Sequence, residues 1–242
     1  MTGSRLCPSC IPTPWPLNND SEYWRVHSSE FPPGATDAVK STTGNPKATG
    51  RFSLSCLNTS GSPPAAKMFY VAQSAGCALF ETVLNTASFD GQRNVYVTPS
   101  ALKNRLISRL KLAEPYSAIQ LEEPARRMFA PINSPADLEW ARLLRTDDYV
   151  ETHKAASELH SALLADAKPL PGLSYPSRRV SSEIAYVLYE PPLEQHLWNH
   201  EQTWDLSARS TVADIDEFLQ PLGFKMLADP TGGAYDPPLG AI

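Results

Sequence analysis

The chain has 242 residues, a length that accommodates one sizeable core and does not require two domains. Its 21 Lys and Arg residues against 26 Asp and Glu residues give a net charge of −5, which argues against a protein built mainly to bind nucleic acid. No apolar run is long enough to span a bilayer and the N-terminus lacks a signal-peptide pattern, so we expect a soluble cytoplasmic protein without membrane association.

The beginning of the chain is rich in proline. The 23 prolines predict long loops with short segments between them, and residues 1–21 are predicted to form an extended arm. This arm contains Cys7 and Cys10, the one Cys-x-x-Cys pair in the sequence. A zinc site needs two more ligands and no second paired motif exists, so we interpret these cysteines as reduced thiols and predict no metal site.

The first predicted elements are three strands and a helix. Aromatic and β-branched residues predict strands over residues 22–27 and 68–72, and a short strand is predicted over residues 50–53. After the last of these strands Ser74 can cap a helix, because apolar residues then recur at helical spacing. These apolar positions are Cys77, Phe80, Val83, Leu84 and Ala87.

Glu81 occupies an unusual position on this predicted helix. At about 100° per residue it lies about 40° from Cys77 and about 60° from Leu84, which places its carboxylate at the edge of the buried stripe. A carboxylate in that position has to find a partner, shift its pKa or face a cavity.

The remaining elements alternate between strands and helices. Strands are predicted over residues 94–97, 117–121 and 184–189, and helices over residues 99–112, 134–145, 149–167 and 212–220. The basic residues of the helix over residues 99–112 are interpreted as a solvated face. Residues 172–179 are predicted to form a turn-rich stretch before the last strand.

General catalytic motifs do not account for this chain. The sequence has no glycine-rich nucleotide fingerprint, no P-loop and no Gly-x-Ser-x-Gly elbow. His153 and His160 lie two helical turns apart, too far for a simple shared metal, and are interpreted as residues that cover the sheet or lie on the surface. Arginine, tyrosine and glutamate on separate elements remain, a combination that suits an anionic ligand with an aromatic ring and a developing cation.

Five short motifs in a fixed order resemble the RES-domain family, which is named for its arginine, glutamate and serine. The segments are YWRV at 23–26, GRF at 50–52, FYVAQS at 69–74, ALFE at 78–81 and GLSYPSRR at 172–179. Each motif is short, so their joint order over residues 22–193 carries the resemblance. The chain departs from the family pattern by a longer Ser/Pro-rich insert before Tyr70 and by bulkier residues at 180–183.

The resemblance implies an α+β fold similar to ADP-ribosyltransferases, with a small mixed β-sheet core covered by helices. Residues 22–193 would form the catalytic domain, preceded by the arm and followed by an extension over residues 194–242. The family consists of toxins of toxin–antitoxin pairs that consume NAD+ by hydrolysis or phosphorolysis at the nicotinamide–ribose bond. NAD+ would then be the substrate, without a further cofactor, and a cognate antitoxin would be the protein partner, with a homodimer among the assemblies allowed.

The resemblance also assigns the site residues. Glu81 would stabilise the oxocarbenium-like ribose, Arg25 and Arg51 would bind the pyrophosphate, Tyr70 would stack on nicotinamide or fix the ribose, and Ser177 would hydrogen-bond at the pocket wall. Structural alternatives remain for each residue: an ion pair for Glu81, Arg25 or Arg51, core packing for Tyr70 and an ordinary turn for Ser177.

Three functions are compatible with the sequence. The first is an NAD+ glycohydrolase or phosphorylase, the second is a transferase that places ADP-ribose on a macromolecule, and the third is a non-catalytic interaction module of the same fold. They differ in where the ribosyl group goes and in whether Glu81 matters at all. The start of the long helix, at Thr152, is also expected to face the same pocket.

Overall fold

A computed structural model of the chain describes residues 14–46, 50–54, 66–85, 87–165, 170–208 and 211–228. Cys7 and Cys10 lie outside these residues, as does the loop predicted between residues 57 and 64.

The described residues form eleven strands and six α-helices. The strands are β1 (Trp15–Pro16), β2 (Glu22–Ser28), β3 (Lys67–Ala72), β4 (Ser88–Phe89), β5 (Asn94–Val97), β6 (Arg105–Leu112), β7 (Ser117–Gln120), β8 (Gly172–Pro176), β9 (Ile184–Glu190), β10 (Trp198–Asp205) and β11 (Lys225–Ala228). The helices are α1 (Asp37–Thr42), α2 (Ala75–Glu81), α3 (Pro99–Leu102), α4 (Pro135–Leu143), α5 (Tyr149–Ala165) and α6 (Thr211–Leu219).

An eight-stranded sheet forms the centre of the fold, in the order β1-β7-β8-β9-β3-β2-β6-β10. Its pairs are antiparallel except for β7 with β8. The sheet is strongly curled, because Trp198 of the edge strand β10 stacks on Phe69 of β3 at 5.1 Å between ring centroids although β6 and β2 lie between them. A second sheet, in the order β11-β5-β4, lies beside it.

Strand alternation divides the large sheet into two apolar faces. One face carries the larger core, to which α2, α4, α5 and α6 contribute buried residues, while the other face carries a smaller cluster that includes Tyr23, Phe69 and Trp198. On β2, Trp24 belongs to the larger core and Tyr23 to the smaller cluster. Since side chains alternate along a strand, Val26 shares the face of Trp24, and Arg25 shares the face of Tyr23.

The predicted α+β architecture, a mixed sheet core covered by helices, is confirmed. The strands predicted over residues 22–27, 68–72, 94–97, 117–121 and 184–189 are present, as are the helix capped by Ser74 and the helices around residues 134–145, 149–167 and 212–220. Helix α2 ends at Glu81, because Thr82 leaves the helical region at φ −125° and ψ −94°. Val83 and Leu84 are buried beyond that end, so the apolar spacing overstated the helix length.

Three local predictions are wrong. Residues 99–112 form the short helix α3 and then strand β6, not one basic helix. The spacing of four residues between Leu102, Leu106 and Leu110 is typical of a helix. It is equally compatible with a strand, because residues separated by an even number of positions, such as Leu106 and Leu110, share one face of a strand. Residues 50–53 form a turn and not a strand, and the stretch predicted as turn-rich begins with β8.

Residues after position 193 contribute to the same structure. Strand β10, which is not among the predicted strands, pairs with β6 in the large sheet, and Ile215 and Leu219 of α6 belong to the larger core. The domain boundaries themselves stay a prediction.

Within the described part of the chain, no helix combines the length and the apolar character needed to cross a bilayer.

Candidate functional site

A cavity of about 470 Å³ opens on the face of the sheet that carries the larger core. Residues of β2, β3, β6, β8 and β9 line it, together with α3, the end of α2, the start of α5 and the turn over residues 50–54. Its lining includes three residues predicted from the sequence, Arg51, Tyr70 and Glu81. Trp24 contributes to the apolar part of the lining and is held by stacking on Trp204, with 5.4 Å between ring centroids.

Glu81 is placed by the way α2 begins and ends. Ser74 caps the helix by accepting a hydrogen bond from the Cys77 backbone N–H at 3.1 Å, and residues 75–80 are all buried. Glu81 is the last helical residue and is half-buried at the cavity wall. A short helix that is otherwise buried thus delivers one carboxylate to the cavity.

Ser177 and the following backbone hold this carboxylate. Ser177 Oγ donates to Glu81 Oε1 at 2.6 Å, and the Arg178 backbone N–H donates to the same oxygen at 3.2 Å. Nothing among the described residues donates to the other oxygen, Oε2. The carboxylate is therefore oriented through one oxygen while the second is available to a ligand.

The Ser177 hydroxyl is itself fixed by a tight turn after β8. Its oxygen accepts hydrogen bonds from the backbone N–H groups of Arg179 at 3.3 Å and Val180 at 3.1 Å, and its own N–H donates to Glu183 O at 2.8 Å. The side chain is 2% exposed. The proton of this hydroxyl is thereby directed towards Glu81, a contact beyond that of an ordinary turn serine.

Arg51 is buried, and two of its three guanidinium nitrogens have no described hydrogen-bond partner. It is 3% exposed, its Nη2 donates to Leu143 O at 2.7 Å, and its Nε and Nη1 have no hydrogen-bond partner among the described residues. Burial lowers the pKa of this guanidinium, and the nearby Tyr175 and Glu81 oppose that effect. No carboxylate in the described part of the chain lies within ion-pair distance of Arg51, so the structural ion pair considered for it is not formed there.

Tyr70 lies between the sheet and the turn that carries Arg51. Its hydroxyl donates to the Arg51 carbonyl at 3.0 Å, and burial raises its pKa, which keeps the phenol neutral. A Cβ at Gly50 would lie 2.9 Å from Tyr70 Cζ, so only glycine allows the turn to approach this ring so closely.

Three further side chains fix the same turn. His153 Nε2 donates to Gly50 O at 2.8 Å, and Tyr189 Oη donates to Phe52 O at 2.8 Å. Thr152 Oγ1 accepts from the Phe52 N–H at 3.4 Å, so the start of α5 does reach the site, through the backbone of the turn. Phe52 has φ +57°, a left-handed conformation that ends any strand at this point.

The structure does not bring Arg25 to the cavity. Its side chain lies on the opposite face of β2, where Nη1 donates to Ser41 O at 2.9 Å and Nη2 to Thr43 O at 2.7 Å. Its guanidinium also packs over the Phe69 ring, 4.0 Å from the centroid. Arg25 joins α1 to the sheet. The alternation of side chains along the strand YWRV already predicts that Arg25 faces away from Trp24 and Val26.

Several lining residues were not predicted from the sequence. Tyr149, Tyr175 and Arg105 all line the cavity. Tyr175 belongs to the motif GLSYPSRR and could have been recognised there, whereas Arg105 was assigned to the solvated face of a predicted helix where the structure has strand β6.

Within the described residues no three His, Cys, Asp or Glu side chains are grouped so as to hold a metal ion.

Comparison with known proteins assigns the chain to a family. The model of the RES domain matches residues 22–208. Among curated proteins, none matches the chain. A solved structure that the chain resembles is the M.tuberculosis MbcT-MbcA toxin-antitoxin complex, with 15% sequence identity and a TM-score of 0.47 over 79% of this chain and 85% of that one. Because the family model covers most of its length, this chain belongs to the RES-domain family.

Proposed function

We propose that this chain is a RES-type toxin that cleaves the nicotinamide–ribose bond of NAD+ by hydrolysis or phosphorolysis. The observation that supports the proposal best is the Glu81 carboxylate, which is held through Oε1 by Ser177 at the wall of a cavity while Oε2 has no donor among the described residues. A structural ion pair would occupy such a carboxylate, whereas a ligand can use this one.

The proposed chemistry needs a fixed negative charge beside the ribose. The bond between the ribose C1′ and the nicotinamide nitrogen breaks, and its electron pair goes to the nitrogen, which leaves neutral nicotinamide. The positive charge then moves to the ribose ring as an oxocarbenium ion, which Glu81 stabilises by charge and through the ribose hydroxyls. A water molecule or a phosphate ion completes the reaction by adding to C1′, and the proton of water is released.

The neighbouring residues have separate roles in this proposal. Ser177 orients the carboxylate, and Arg51 supplies two nitrogen donors without a described partner, Nε and Nη1, for an anionic or hydroxyl group of the substrate. Tyr70 offers a neutral aromatic ring for stacking on nicotinamide. Arg25 is not part of this site, because its donors are used by backbone carbonyls on the other face of the sheet.

An enzyme that depletes NAD+ damages the cell that makes it. The proposal therefore includes a cognate antitoxin protein and an action in the cytoplasm, where the substrate is present. We expect expression of the chain alone to arrest growth and to lower cellular NAD+, and co-expression with the antitoxin to prevent both effects.

The test of the reaction is product analysis with purified protein and NAD+, with and without phosphate. Nicotinamide with free ADP-ribose identifies hydrolysis, and a phosphate-dependent ribosyl phosphate product identifies phosphorolysis. Nicotinamide release that requires an added protein or nucleic acid, with label transferred to it, would instead identify a transferase. A folded protein that releases no nicotinamide under any of these conditions would identify a non-catalytic module.

A further inference from the structure

A second arginine lines the cavity, on strand β6 next to the edge strand β10. Arg105 is the first residue of β6 and its side chain is exposed at the cavity. No described residue forms an ion pair or a side-chain hydrogen bond with it, whereas Arg109 and Lys111 on the same strand are both paired with Glu201. Arg105 is therefore a free cation at a cavity that has to admit a ligand.

The order of strands separates Arg105 from the carboxylate. Ser177, which holds Glu81, follows directly after β8, and β9, β3 and β2 lie between β8 and β6. Neighbouring strands are about 4.8 Å apart, so β8 and β6, which are four spacings apart in the strand order, are separated by about 19 Å along the sheet. The lining of the cavity extends across five neighbouring strands, from Tyr175 on β8 to Arg105 on β6, so an extended ligand can contact both sides of it.

Strand register confirms that Arg105 faces the cavity. Val26 pairs with Ile107 and Ser28 pairs with Arg105 in the antiparallel ladder of β2 and β6. Ile107 belongs to the larger core, and residues two apart on a strand share a face, so Arg105 is on the side of Trp24 and Val26. These two residues provide an apolar stretch between the two ends of the cavity.

The charges at the two ends differ. Among the described lining residues the charged side chains are Glu81, Arg51 and Arg105. Glu81 lies close enough to Arg51 to affect its pKa, so the charges at that end offset each other, whereas no lining carboxylate accompanies Arg105. The side-chain amide of Asn85, also in the lining, adds a polar group without a hydrogen-bond partner among the described residues.

We propose that Arg105 is a further substrate-binding residue, which binds the diphosphate of the dinucleotide while its nicotinamide riboside half lies against Glu81. This inference rests on the proposed function for the identity of the ligand. Arginine suits the task because its planar fork donates two parallel hydrogen bonds to phosphate oxygens. Arg105 thus takes the role that the sequence motifs assigned to Arg25.

Calorimetric titration with ADP-ribose tests the subsite without any chemical step. The variants are Arg105→Gln and, as a matched control, Lys103→Gln, which removes the same charge from an exposed residue two positions away that does not line the cavity. We expect Arg105→Gln to weaken binding at least about tenfold, which corresponds to the loss of one charge-assisted hydrogen bond, and Lys103→Gln to stay within about twofold of the unchanged protein.

Equal weakening by both substitutions, unchanged binding by Arg105→Gln, or no binding of ADP-ribose by the unchanged protein would each overturn the inference. The reaction itself is judged separately by nicotinamide release. If ADP-ribose binds in a manner that depends on Arg105 but no nicotinamide is released, the subsite is upheld and the proposed reaction fails.

Discussion

Ser177 Oγ donates a hydrogen bond of 2.6 Å to Glu81 Oε1, and this bond joins two parts of the chain that are 96 residues apart. One partner ends α2 and the other begins the turn after β8, and these elements meet because β9 pairs with both β3 and β8. The hydroxyl proton points towards Glu81, because the serine oxygen accepts hydrogen bonds from two backbone N–H groups. The bond therefore sets the orientation of the carboxylate.

Removal of this bond should reduce the rate of NAD+ cleavage more than the affinity for NAD+. We expect Ser177→Ala to lower kcat by about 10- to 100-fold, the effect of losing one hydrogen bond to a charged group, with little change in KM. Ser181→Ala is the control, because Ser181 lies in the same turn and is exposed. Equal kcat values for the two variants would show that Ser177 does not orient the carboxylate.

Arg51 should matter for activity and not for stability. Arg51→Met removes two buried nitrogens that have no described partner, which favours folding, and also the hydrogen bond from Nη2 to Leu143 O, which disfavours it, so the two contributions to stability offset each other. We expect the free energy of unfolding to change by less than about 1 kcal/mol while kcat/KM falls at least about 100-fold. Chemical denaturation and steady-state kinetics measure the two quantities, and a marked loss of stability would mark Arg51 as a structural residue.

Arg25 should show the opposite pattern. Arg25→Met leaves the Ser41 and Thr43 carbonyls without their donors and removes the packing over Phe69, so we expect a loss of about 2–4 kcal/mol in unfolding free energy. The folded fraction should keep its KM for NAD+, because Arg25 faces away from the cavity. A raised KM with unchanged stability would place Arg25 in the substrate site after all.

Gly50 should tolerate no side chain. In Gly50→Ala the new Cβ would lie 2.9 Å from Tyr70 Cζ, so either the turn or the ring has to move. We expect a loss of about 1–3 kcal/mol in unfolding free energy together with reduced kcat/KM, since the same turn carries Arg51. Gly91→Ala is the control, because a Cβ there meets nothing within 4 Å. Similar results for the two variants would contradict the close contact.

The sequence predicted the parts of this site that depend on local pattern. Helical spacing placed Glu81 at the edge of a buried stripe, and the order of motifs brought in Arg51, Tyr70 and Ser177, which the fold gathers around one carboxylate or its cavity. Two predictions differ from the structure for separate reasons. Side-chain alternation along β2 puts Arg25 on the opposite face from Trp24 and Val26, a signal that the motif order alone does not carry. Arg105 lies on a strand and not on a helix, because a spacing of four residues does not distinguish the two.

The turn over residues 50–54 could not be predicted from local pattern. It is held by His153, Tyr189 and Tyr70, which lie between 19 and 137 residues away from the groups they bind. Such contacts depend on the positions of the sheet and α5, which local sequence does not encode. The left-handed Phe52 is the result of that tertiary framework, since its residue type does not favour the conformation.

Nicotinamide release from NAD+ should be compared between the unchanged protein and Glu81→Gln, with Glu114→Gln as the control at an exposed carboxylate outside the cavity. We expect Glu81→Gln to fold normally and to lose activity at least about 1,000-fold, because a charge that stabilises the transition state is removed. Glu114→Gln should retain full activity. Nicotinamide release by folded Glu81→Gln at the rate of the unchanged protein would show that Glu81 does not take part in the reaction.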